Sequence, residues 1–252
     1  MKTRFVFPSL IALAVLSALV AAERPVIVTF GDSTTAPRPP LTVYSSLLAG
    51  RIHEELGMDV EVMNAGVPAD TTRRAAVRFE HDVLEKNPVL VVIQFGINDA
   101  TMDVWKTPPE TSPRVPKAEY LKNIASFIER CRQRGIHVVL MTPNPVSWSE
   151  RTLELYGRPP YDRNDPDGLN LNLRPYTAAL RRLAAETNTP LVDVMQAHDD
   201  AARAGGPALV GDGVHPNDAG QRLVADLLMK FLHSHREYLV PVRAAESARR
   251  GG

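Results

Sequence analysis

Pro88 opens Val89-Leu90-Val91-Val92-Ile93-Gln94-Phe95, a nearly unbroken apolar run that closes on Gly96. A strand that is apolar at almost every position has both faces covered, which is the situation of a central strand in a parallel sheet between two helix layers. Companion runs stand on either side of it. Val26 to Phe30, the alternating Val60 to Met63, Ile136 to Met141 and Pro190 to Val194 are each short and rich in strand-forming residues. Helical patterns separate them. Strand and helix therefore alternate five times, which predicts an α/β, three-layer αβα sandwich with a five-stranded parallel sheet and right-handed crossovers.

The helices are marked by apolar residues recurring on one face. Tyr44, Leu48, Ile52 and Leu56 mark the first, which stops at Gly57; a second runs from about Thr72 to Lys86. Tyr120, Ile124, Phe127, Ile128 and Cys131 mark the next, and Leu173, Tyr176, Leu180 and Leu183 another. A helical stretch follows the fifth strand. Asn217 is placed to cap a last helix with Leu223, Leu227, Leu228 and Phe231 as its buried stripe. Residues 101–119 and 142–170 carry no sustained period, and a connection as long as the second is kept in a compact domain mainly for function. No linker or repeat divides residues 23–239, which are read as one domain; residues 240–252 are predicted to be a disordered tail.

The first 22 residues read as an address. Lys2 and Arg4 precede the apolar run Phe5 to Val20, and Val20-Ala21-Ala22 offers the small residues of a cleavage site. The run is too short for a span and contains Pro8, so a cleaved signal peptide is expected rather than an anchor. Export to a periplasmic or extracellular location follows, with no stable membrane span after cleavage. Removing this segment takes away two bases and no acid, leaving 27 basic against 29 acidic residues. That balance gives no reason to expect a nucleic-acid partner. The sole cysteine, Cys131, has no partner for an intramolecular disulfide and reads as a small buried hydrophobe.

Three of the strands run directly into residues that carry chemistry. Val26 to Phe30 leads to Gly31-Asp32-Ser33, the second strand to Asn64-Ala65-Gly66, and the central strand to Gly96-Ile97-Asn98-Asp99. In an open parallel sheet the carboxyl ends of neighbouring strands share one rim, where ligands bind. Acyl transfer needs a nucleophile, a base, an orienter for that base and donors facing the developing oxyanion. Ser33 supplies the hydroxyl. Its own N–H, the N–H of Gly66 and the side-chain amide of Asn98 supply three candidate donors. Asp212 and His215, two residues apart in a Gly-containing turn, allow a carboxylate to hold one imidazole nitrogen while the other faces Ser33. Asp32 is read as bracing the serine loop through backbone N–H groups.

Gly31-Asp32-Ser33, Gly66, Gly96-x-Asn98-Asp99 and Asp212-x-x-His215-Pro216 resemble, in content and order, the four sequence blocks of the SGNH, or GDSL, hydrolase family. The resemblance implies a flavodoxin-like SGNH fold, Ser33, Asp212 and His215 as triad, Ser33, Gly66 and Asn98 as oxyanion hole, and no cofactor or metal. Gly-Asp-Ser-Thr at residues 31–34 is similar to the carbohydrate acetylesterase branch. No Gly-x-Ser-x-Gly elbow and no phosphate-cradling loop compete with this reading. The acidic stretch Asp162 to Asp167 invites a calcium loop, but Arg163 and Arg174 stand where oxygen ligands are required. Trp105, Trp148, Tyr156 and Tyr161 fall in the irregular segments, where aromatic faces suit sugar rings. The expected activity is therefore hydrolysis of short, mainly acetyl, esters of a small molecule or glycan. Two alternatives stand beside it: a lysophospholipase or thioesterase on longer chains, and a non-catalytic carbohydrate-binding module.

Overall fold

A computed structural model describes residues 24–242; the expected signal peptide, and residues 243–252 of the expected tail, lie outside them. Side chains alternate across each strand, and the sequence supplies apolar groups to both faces. From β1 (Val26–Gly31), Val28 and Phe30 enter one core while Ile27 enters the other. From β3 (Leu90–Gln94), Val91 and Ile93 oppose Leu90 and Val92 in the same way. The sheet is completed by β2 (Glu61–Gly66), β4 (His137–Met141) and β5 (Leu191–Val192) in the order β2-β1-β3-β4-β5, every pair parallel. That is the flavodoxin-like winding, and its switch point falls between β1 and β3.

One face packs against α1 (Tyr44–Leu56) and α8 (Asp218–Ser234). The other is covered by α2 (Thr72–Asp82), α4 (Lys117–Gln133) and α6 (Leu173–Glu186) around Phe30, Phe79, Phe95 and Phe127, whose rings lie 4.6–6.5 Å apart where they pair. Cys131 is buried in that core, as expected. Two short helices were not expected: α3 (Ile97–Ala100), straight after Gly96, and α5 (Glu150–Tyr156), which lies inside the aperiodic segment 142–170 and is opened by a capping box between Ser149 and Thr152. After β5, α7 spans Val194–Arg203.

Three local readings are corrected. The helix expected over 72–86 ends as α-helix at Asp82, and a single 3-10 turn, Leu84–Lys86, closes it against left-handed Asn87. The fifth strand shrinks to two residues, because the Asp193 side chain turns to accept the Gln196 N–H and starts α7. The stripe of α8 has the expected period and the expected Leu228 in the core, but its phase is turned: Val224 and Leu232 are buried with Leu228, whereas Leu223, Leu227 and Phe231 are half-buried. Gln221 sets that phase by reaching into the core, where its Oε1 accepts the Tyr44 N–H at 2.8 Å.

Candidate active site

Glycine is required where β1 gives way to the serine loop. A Cβ on Gly31 would lie 2.2 Å from Thr35 Oγ1 and 2.8 Å from the Gln94 carbonyl oxygen. The loop that follows is held from within. Asp32, 2% exposed, accepts the Thr34 N–H and hydroxyl, each at 2.9 Å, and its carbonyl accepts the N–H groups of Thr35 and Ala36. Burial pushes the Asp32 carboxyl up, against the Thr34 groups that hold it down. This is the bracing role read from the sequence, and it leaves the Ser33 side chain at the rim.

His215 arrives from the turn before α8, where Gly213 takes φ 91° and passes so close to Ser147 that a Cβ would meet its carbonyl oxygen at 2.7 Å. Asp212 folds the turn on itself by accepting the N–H groups of Val214 and His215 at 3.0 and 2.8 Å. Its other oxygen lies 2.7 Å from His215 Nδ1, and His215 Nε2 lies 2.9 Å from Ser33 Oγ. Partial burial tends to raise the Asp212 carboxyl, but the His215 N–H and imidazole and the Val214 N–H outweigh it and hold the group down at about 2. The three residues expected to act together thus form one hydrogen-bonded series.

Asn98 sits on α3 beside Ser33. Its Nδ2 faces Asp32 Oδ2 at 3.4 Å, and its Oδ1 accepts from Arg114 Nη1 at 2.9 Å. Asp99 is fully buried with one oxygen on the N–H and hydroxyl of Thr72, at 2.9 and 2.5 Å, so the α3 turn is pinned to the start of α2. Burial drives the Asp99 carboxyl up to about 7.

Gly66 does not fit the role expected of it. Its N–H donates to Asn64 Oδ1 at 2.9 Å, and the space a Cβ would need is filled by the backbone of Ala36, 2.3 Å away. Glycine is needed there so that the serine loop can lie on β2. The residue that reaches the cavity is Ala69, at left-handed φ 58°, whose N–H donates to no group among the described residues. A non-glycine residue at positive φ costs on the order of 1 kcal/mol, and such positions cluster at sites of function. An alanine carries no sequence mark of that conformation. The signal that was available was Asn64, two residues before Gly66 and so placed to occupy its N–H.

Ser33, Asn98, Ala69 and His215 border a cavity of about 460 Å³. Most of its remaining wall is apolar: Ile97 and Ala100 of α3, Leu155 of α5, Val146, Leu169 and Leu173. Tyr156 and Tyr161 line it; the two tryptophans do not. Trp148 donates to the Asp165 carbonyl and Trp105 stands 44% exposed beside Asp103. Arg38, Arg114 and Arg151, none of them foreseen, also line the cavity, with Arg38 reaching the Ser33 carbonyl at 3.5 Å and Asp212 at 3.8 Å. Asp162 and Asp165 accept backbone N–H groups two residues on, and Asp167 pairs with Arg174.

A flavodoxin-like sheet carrying this serine, imidazole and carboxylate at its switch point defines a serine hydrolase. The profile of the GDSL-like Lipase/Acylhydrolase family matches residues 29–223, and the chain belongs to that family. The lipoprotein YqeF of Bacillus subtilis (strain 168) is 30% identical, over 66% of this chain and 71% of its own. An acetylxylan esterase of Geobacillus stearothermophilus is 28% identical, over 71% of this chain and 74% of its own. The crystal structure of the lipase/acylhydrolase from Enterococcus faecalis superposes with a TM-score of 0.65 at 26% identity, covering 84% of this chain and 96% of that one. The protein is an ester-hydrolysing serine hydrolase.

Proposed function

We propose that the protein is an exported esterase that works through an acyl-enzyme on Ser33, taking short acyl groups and acetyl first. The Asp212–His215–Ser33 series carries the mechanism. With its proton on Nδ1 donated to Asp212, the imidazole presents a lone pair at Nε2 to take the Ser33 proton as Oγ attacks the ester carbonyl. The alkoxide leaves with that proton, and water repeats the exchange to free the acid. Negative charge on the carbonyl oxygen falls to the N–H groups of Ser33 and Ala69 and to the second N–H of Asn98 Nδ2.

The likeness to an acetylxylan esterase supports acetyl as the acyl group and a carbohydrate as the alcohol, and Tyr156 and Tyr161 put aromatic rings in the cavity wall. One observation favours a second reading: the cavity walls are largely apolar, which suits a longer acyl chain. The charged-then-apolar pattern of residues 1–22 supports export, as does the likeness to a lipoprotein.

Incubation with an organophosphonate followed by peptide mapping tests the mechanism. The adduct is expected on Ser33, absent from Ser33→Ala. A label on another serine, or none on folded enzyme, rejects the acyl-enzyme.

A further inference from the structure

We infer that Arg114 is a positioning residue for the Asn98 amide: it decides which end of that amide faces the cavity. A guanidinium has donors and no acceptor. Because Arg114 Nη1 meets the amide at 2.9 Å, the atom it meets is the oxygen, and the NH₂ is turned the other way, towards Asp32 Oδ2 at 3.4 Å. An asparagine amide turned by half a rotation has nearly the same shape. In this site the turned form would set NH₂ against the guanidinium and offer the carbonyl dipole's negative end to a developing oxyanion. Arg114 and Asp32 both oppose it, one from each side.

Arg114 is itself fixed. Nε and Nη2 both donate to Oδ1 of Asp103, a residue 7% exposed, at 3.0 and 2.7 Å. The flanking backbone is stapled to the segment it serves: the Arg114 N–H donates to the Thr101 carbonyl and the Val115 N–H to that of Asp99. The aperiodic connection between α3 and α4 thus has a definite product, one guanidinium placed behind the Asn98 amide. Its donors are directed at Asp103, at Asn98 and, at 3.5 Å, at the Tyr156 hydroxyl, so the guanidinium is engaged with the protein where it borders the cavity.

This inference rests on Asn98 donating to the oxyanion, and the experiment separates the two. kcat and KM for p-nitrophenyl acetate are measured on wild type, Asn98→Ala, Arg114→Met and the double variant. Removing one oxyanion donor lowers kcat by about 10²-fold, and Arg114→Met is expected to lower it by roughly 10-fold or more with KM within about twofold. In the Asn98→Ala background the same change is expected to cost less than about twofold, because its target is gone. Additive losses, or a raised KM at unchanged kcat, overturn the inference while leaving the oxyanion role of Asn98 intact. Wild-type kcat in Asn98→Ala rejects that role, and the inference with it. Should Arg114→Met fail to fold, Arg114→Lys, which keeps a cation on Asp103 but loses the fork, is read in the same cycle against the same outcomes.

Discussion

Single residues in this site are decided by which hydrogen-bonding groups are already occupied. Gly66 shows this: its N–H is taken by Asn64, and its missing Cβ is what lets Ala36 approach. Gly66→Ala should therefore act through the serine loop, lowering the melting temperature and the activity together; loss of activity at an unchanged melting temperature would instead return Gly66 to the oxyanion hole. Asp99 makes a pH prediction. Burial keeps its carboxyl protonated up to about 7 in the fold, whereas the unfolded chain releases that proton near 3.8. Between those values the folded state holds one more proton, so this contribution is fully present below the lower value and is lost as pH rises through the upper one. Asn at 99 keeps the acceptor for Thr72 and has no proton to lose. The melting temperature of Asp99→Asn should stay near that of wild type at pH 4 to 5 and rise above it by pH 8; parallel curves would mean that Asp99 is ionised throughout. Ser33, Asn98, Asp212 and His215 could be read from the sequence because each stands one or two residues after a glycine at a strand end or in a turn. Ala69 and Arg114 could not, since one is defined by a backbone angle and the other by a loop without a period.

Among secondary-structure elements, period was legible throughout and phase in α1 and α4, whose expected stripes are the buried ones, but not in α8. All five strands and the amphipathic helices follow from apolar spacing, but spacing alone leaves a helix free to rotate about its axis until something specific fixes it. In α8 that is Gln221, held in the core by the Tyr44 N–H. The short α3 and α5 escaped notice because a single turn or two shows no period; α5 is set instead by its capping box, whose Ser149 hydroxyl also donates to the Asp212 carbonyl at 2.9 Å. The observed phase of α8 gives an energetic test by urea denaturation. Leu228→Ala, at a position 1% exposed, should cost about 2–5 kcal/mol. Leu223→Ala, on the half-buried flank, should cost about 1 kcal/mol or less. Equal losses would place the core-facing side of α8 between the two.

For the molecule as a whole, the substrate question reduces to which half of an ester occupies the apolar cavity, because a cavity of about 460 Å³ with one serine at its rim has a single main occupant. Burying a methylene contributes about 0.8 kcal/mol, nearly a fourfold change in binding for each carbon that enters. Two ester series locate it. In one the acyl group is held at acetyl and the alcohol lengthened from ethyl to octyl; in the other the alcohol is p-nitrophenol and the acyl group runs from acetate through octanoate to palmitate. If acetyl is the acyl group, KM should fall along the alcohol series while kcat/KM in the acyl series is highest at acetate, and acetate should be released from acetylated xylan. The sugar reading then needs no tryptophan, since Tyr156 and Tyr161 are the rings at the cavity. A KM that falls instead along the acyl series, with no acetate freed from any glycan, would assign the cavity to the acyl chain and make the enzyme a hydrolase of longer-chain esters or thioesters.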